Sequence, residues 1–168
     1  MTAGIPANVP DAELGKFFIP CFMNIAMAKV SMSAAEARAN GFLGPRDRIV
    51  FNRDLLIGEA KNEVQRMVAD GYAPPFKRPI RVLGEAAQGM VQAELFNMQG
   101  AGYISEYDAF LAKRVAFVIS GGEARTNSMI DEQTILNLER QAFCDFWKQE
   151  KTQARVEHML KTGKPLRN

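Results

Sequence analysis

Asn52-Arg-Asp-Leu-Leu-Ile-Gly-Glu-Ala-Lys-Asn-Glu-Val-Gln-Arg-Met-Val-Ala-Asp-Gly71 reads as one helix from its cap to its stop. The Asn52 side chain can accept a first-turn backbone N–H, and Asp70-Gly71 supplies the left-handed exit that a helix C-terminus favours. Leu55, Leu56, Ala60, Val64, Met67 and Val68 recur at helical spacing and form one apolar stripe, with Glu59, Lys61, Glu63 and Arg66 on the solvated side. The spacing therefore predicts a helix over 53–70.

The same punctuation recurs on both sides of this stretch. Residues 13–30 place Leu14, Phe17, Phe18, Cys21, Phe22, Ile25 and Val30 at helical spacing, with Pro20 predicting a kink or two pieces. Ser33-Ala-Ala-Glu36 has the form of a capping box, and the short helix behind it stops at Asn40-Gly41. Further helices are expected over 85–98 (Ala86, Met90, Leu95 and Met98 inward) and 106–119, capped by Ser105 and stopped by Gly121-Gly122. A fourth is expected over 131–147, with Ile135, Leu138, Ala142, Phe143, Phe146 and Trp147 apolar. The last is capped by Thr152 and stopped at Thr162-Gly163. Ile49-Val50-Phe51 and Ile80–Leu83 are the candidate strand stubs. The expected fold is mainly α, a multi-helix lobe with at most two short strands. Residues 1–12 read as a flexible leader, and 13–168 as a single helical domain containing the proline-rich loop 73–79.

Composition narrows the function. At 47% hydrophobic and 24% charged residues, the 168-residue chain is globular rather than disordered. A net charge of +2 argues against nucleic acid or a charged membrane surface as partner. No stretch has the length and apolarity of a membrane span, and the first ten residues lack the pattern of a signal peptide. Cys21 and Cys144 sit among apolar residues, as buried free thiols of a reducing cytoplasm would.

Most catalytic signatures are missing. There is no G-x-G-x-x-G or G-x-x-x-x-G-K-S/T loop. One histidine, His158, makes a histidine-rich or Cys/His metal site implausible. Asp131-Glu132 opens a helix, where a carboxylate caps and meets the dipole. No catalytic residue and no metal ligand is assigned. The one candidate for ligand contact is the basic end of the chain. There Lys151, Arg155, Lys161 and Lys164 could hold phosphates, against a default of a solvated tail.

Several segments resemble a known family. They are Ala28–Leu43, with its capped Ser33-Ala-Ala-Glu36; Asp47-Arg-Ile-Val-Phe-Asn-Arg-Asp54; Gly71-Tyr-Ala-Pro-Pro75; Ile104-Ser-Glu-Tyr-Asp108; Leu138-Glu-Arg-Gln-Ala-Phe143; and the closing Lys151-Thr-Gln-Ala-Arg155 with His158–Asn168. Together they are similar to the C-terminal region of the bifunctional 3-hydroxyacyl-CoA dehydrogenase / enoyl-CoA hydratase (crotonase-type) proteins of fatty-acid β-oxidation. The resemblance implies a cytoplasmic helical region that is inactive alone. NAD would belong to the parent's dehydrogenase part, and the oxyanion hole to segments not present here. Its partners would be the remainder of that polypeptide or identical copies, with acyl-CoA as ligand. Packing would use the apolar faces of 14–30 and 135–147. The alternative is a stand-alone helical interaction or oligomerisation module without CoA.

Overall fold

The structure is a computed structural model and describes residues 13–168; the expected leader, 1–12, lies outside the described residues. The described chain is mainly α. Its helices are α1 (Leu14–Ala26), α2 (Ala34–Ala39), α3 (Leu56–Ala69), α4 (Gly84–Gly100), α5 (Glu106–Ile119), α6 (Glu132–Trp147) and α7 (Glu150–Thr162). Two strands, β1 (Ile80–Arg81) and β2 (Met129–Ile130), pair antiparallel in the register Ile80 to Ile130. Contacts divide the described residues into two units, 13–29 with 78–168 and 30–77, and the boundary at 77/78 falls inside the proline-rich loop.

The larger unit has the hydrophobic core. Leu14, Phe18 and Phe22 repeat every four residues along α1 and are buried against Leu83, Ala87, Val91 and Leu95 of the α4 segment and Ala112 and Ala116 of α5. The inward line of α4 is Ala87-Val91-Leu95, not the expected Ala86 and Met90, which are exposed. Small residues let α4 and α5 approach closely, so the alanines rather than the longest side chains define the buried face. Pro20 does not divide α1; it sits on the exposed side of an uninterrupted helix, where its missing N–H is least costly.

The antiparallel pairing of β1 with β2, which lie on either side of α4 and α5 in the chain, steers α4 into place. Ile80 was legible as a strand start, but its partner is Met129–Ile130, outside both candidate strand stubs, and Ile49–Phe51 is not a strand. Val82 N–H donates to Ser128 O at 2.9 Å, and Gly84 N–H donates to Ser120 O at 3.0 Å. Ser120 is fully buried. Its hydroxyl donates to Phe117 O and accepts from Gln88 Nε2, which also donates to Gly122 O at 2.7 Å. The end of α5 is thereby satisfied inside the protein, as buried polar groups require.

Caps settle helix starts. Ser105 and Asp108 make a reciprocal capping box at α5, and Asp131 Oδ1 accepts from Thr134 N–H at 2.6 Å at α6. The last helix starts earlier than expected: Gln149 is its first flanking residue, and Thr152 lies within the helix, its hydroxyl 2.6 Å from Tyr107 Oη. Gly163 stops α7 at φ 69°.

The smaller unit, 30–77, has no buried residue. Ser33 Oγ accepts from Glu36 N–H, but the Glu36 carboxylate accepts from Met32 N–H rather than Ser33. Asn52 caps a single 3-10 turn, Arg53–Leu55, that leads into α3. Arg48 bridges Glu59 at 2.8 Å and Glu63 at 3.2 Å, so α3 is clamped on its charged face. Its apolar stripe is open instead, with Leu55, Leu56, Ile57, Val64 and Val68 all more than half exposed.

Candidate functional site

The four basic residues singled out by sequence meet different surroundings. Arg155 is a hub. Its Nη1 donates to Asp108 Oδ1 at 2.7 Å, its Nε to Asn168 Oδ1 at 2.7 Å and its Nη2 to the Asn168 carbonyl at 3.2 Å. It also lies over the Tyr107 ring, 5.0 Å from the centroid. Only 19% of its side chain is exposed, so the guanidinium acts as a latch between α5, α7 and the segment that follows α7. Ser105 Oγ donates to Asp108 Oδ2 at 2.9 Å and lies 3.4 Å from the same Asn168 carbonyl, and Asn168 Nδ2 donates to Lys151 O. No sequence signal links Asp108 to Arg155, which are separated by 47 residues.

Lys151 faces the Tyr107 ring, its ammonium 5.4 Å from the centroid. Lys161 pairs with Glu157 one turn back. The Lys164 side chain is exposed and has no ion-pair partner among the described residues. The three lysines are therefore the cations open to solvent, spread along α7 and just beyond it. Lys151 and Lys161 stand about 15 Å apart along the helix axis.

Beside the latch lies a cleft of about 490 Å³. It is walled by Met23 and Met27 at the end of α1, Leu95 and Met98 of α4, Val115 of α5, and Pro165 and Leu166 beyond α7. Ala28, at its rim, holds φ 49°, a left-handed conformation that costs an alanine energy. The size and the mainly apolar lining suit a small apolar ligand or side chain. Asp108 and Arg155 are the charged pair at its edge. Partial burial pushes the Asp108 carboxyl up. The Ser105 N–H, the Arg155 hydrogen bond, the Ser105 hydroxyl and the Arg155 charge together outweigh that, and its pKa is lowered. The carboxylate is thus ionised near neutrality and committed to accepting bonds, which leaves it unsuited to proton transfer.

That shift fixes a pH dependence. The Asp108 contribution is complete above the ordinary aspartate pKa of about 3.9 and is lost as pH falls through the lower folded value. Asp108→Asn should lower the melting temperature at pH 7 and flatten the acid limb of melting temperature against pH below about pH 4. An unchanged acid limb would show that the latch carries no net charge stabilisation.

Other expectations fall out differently. Cys21 is half-buried, whereas Cys144 is exposed. Phe143 and Trp147, on the α6 face named above for packing, are 64% and 49% exposed. Phe17 and Ile25 remain accessible on α1, but Leu14, Phe18 and Phe22 are spent in the chain's own core. Among the described residues no three His, Cys, Asp or Glu side chains converge as a metal site, and no helix is long and apolar enough to cross a membrane. Among the described residues, the glycine that opens α4 forms no phosphate cradle. The sheet is a two-stranded antiparallel pair, and a Cβ on Gly84 at the start of α4 would lie 2.1 Å from Ala124 O. That close approach is to the chain's own backbone, in place of a phosphate cradle.

Comparison with known proteins gives one informative likeness. Over 147 residues, 88% of this chain, it is 42% identical to a probable 3-hydroxyacyl-CoA dehydrogenase of Bacillus subtilis (strain 168). This chain is related to part of that protein. It spans only 19% of the relative's length, about a fifth. No family model matches the chain, and no solved structure does.

Proposed function

We propose that this chain acts as a non-catalytic helical region within a 3-hydroxyacyl-CoA dehydrogenase / enoyl-CoA hydratase system of cytoplasmic fatty-acid β-oxidation. The observation that carries this is the 42% identity over 88% of the chain. The structure supports the non-catalytic part, since the charged groups beside the cleft are locked in a latch. Its work is packing, through the exposed remainder of the α1 and α6 faces, and contact with the phosphates of an acyl-CoA. In this reading NAD belongs to the dehydrogenase part of such a system.

In this reading Lys151, Lys161 and Lys164 supply the charge for phosphate contact. Arg155 holds Asn168 and Tyr107 so that α7 and the segment after it keep their places. Lys161 would exchange Glu157 for a phosphate at little cost, because exposed ion pairs contribute about 0–1 kcal/mol.

Calorimetric titration of the chain with acetyl-CoA at low salt tests the phosphate contact. Combined Lys151→Gln, Lys161→Gln and Lys164→Gln should weaken binding at least about tenfold, since hydrogen bonds to charged groups contribute about 1.5–3 kcal/mol each. Binding by the wild type that survives these changes would remove the lysines from the reading. No binding by the wild type would remove CoA contact altogether.

A further inference from the structure

The outer face of α6 has a pattern that the fold of this chain does not use. Leu136, Phe143 and Trp147 lie along it, 44%, 64% and 49% exposed, while Ala142 on the opposite side is buried. Phe143 and Trp147 stack with their ring centroids 6.4 Å apart and their planes at 12°. Glu139 and Arg140 lie in the middle of the same face, both exposed, and neither has an ion-pair partner among the described residues. An aromatic pair with an aliphatic residue seven positions before its first ring, and two opposite unpaired charges between, is unusual on a solvated face.

The order of these residues is self-complementary. Turn a second α6 antiparallel about a two-fold axis passing between Glu139 and Arg140. Glu139 of each copy then stands opposite Arg140 of the other, so one pair of residues gives two ion pairs. Leu136 faces Phe143 of the second copy, again twice. Glu132 faces Trp147 of the second copy, whose indole N–H is a donor in search of an acceptor. Each group on the face finds its chemical complement, in an arrangement where aromatic anchors are the usual energetic centre. The stripe of α3 is as exposed, but the carboxylates Glu59 and Glu63 beside it are already paired with Arg48, so it carries no equivalent argument.

We infer that the α6 face binds a second copy of this chain, as an antiparallel α6 pair about a two-fold axis. This rests on the packing half of the function proposed above and not on CoA contact. A failed acetyl-CoA titration leaves it standing, and a failed association leaves the titration unaffected.

Sedimentation equilibrium of the chain across micromolar to hundreds of micromolar concentration tests it. The expected result is a reversible monomer–dimer equilibrium, accompanied by a concentration-dependent shift in the emission of Trp147, the one tryptophan of the chain. E139R alone and R140E alone each set like charges opposite one another twice. Each should weaken the dimer at least about tenfold. E139R/R140E together restores both pairs with their signs exchanged, and should return the dimer to near wild-type strength. F143A should weaken it without a matching loss of melting temperature, since Phe143 is not part of the core. A wild-type chain that is monomeric throughout would overturn the inference and leave the face to another part of a longer polypeptide. A dimer indifferent to these changes, or one not restored by the double exchange, would also overturn it.

Discussion

Replacing Phe22 by alanine should lower the stability of the larger unit by about 3–5 kcal/mol, the usual loss for a fully buried aromatic ring. Phe22 is 0% exposed and sits where α1 meets α4 and α5, so the void cannot be filled by a shift of one helix alone. For a chain of this length that corresponds to a fall in melting temperature of roughly 10–15 °C. Phe17→Ala, one turn away but on the exposed side, should cost far less. A thermal melt of both variants checks the claim that α1 is part of this core and not an arm awaiting another surface. Equal effects would contradict it.

The second large effect belongs to Gly84. Its φ is 54°, and an added Cβ would meet Ala124 O at 2.1 Å and the Arg125 carbonyl carbon at 2.7 Å. Both obstacles are backbone, held by the hydrogen bonds of Val82 with Asn127 and Ser128 beside the paired strands. Gly84→Ala therefore combines a left-handed alanine, about 1–2 kcal/mol, with overpacking of about 1–3 kcal/mol. The expected loss is about 3 kcal/mol. Gly163→Ala isolates the first contribution, because Gly163 has φ 69° and nothing within 4 Å of the added carbon. It should cost only about 1–2 kcal/mol. Denaturant melts of the two variants side by side would show whether the difference lies in contact, as argued, or in conformation alone.

Helix starts and stops were legible because they are local. Ser105 with Asp108, Asp131 with Thr134 N–H, and Gly163 each act within one turn of themselves. The buried face of α4 was not legible in the same way. Ranking residues by apolarity favours Met90 over Ala87, yet close approach of α5 selects Ala87, Ala112 and Ala116, and the larger side chain is left outside. β2 escaped because two residues show no periodicity; Met129–Ile130 is a strand only because β1 lies beside it. The candidate site was half visible. Lys151, Arg155, Lys161 and Lys164 stood out as charge, but the commitment of Arg155 to Asp108 and Asn168 depends on tertiary contact across a long separation. Charge in a sequence reports that a cation is present, and only packing decides whether it is free to meet a ligand.

The central claim is that this chain is a working part of a 3-hydroxyacyl-CoA dehydrogenase system. The most direct test is to replace the matching segment of the Bacillus subtilis relative with residues of this chain and to follow turnover of a 3-hydroxyacyl-CoA. A thermal melt serves as the control for folding. The account predicts a folded hybrid whose rate matches that of the unmodified relative, while the isolated chain has none. A folded hybrid without activity, or turnover by the isolated chain, would contradict it.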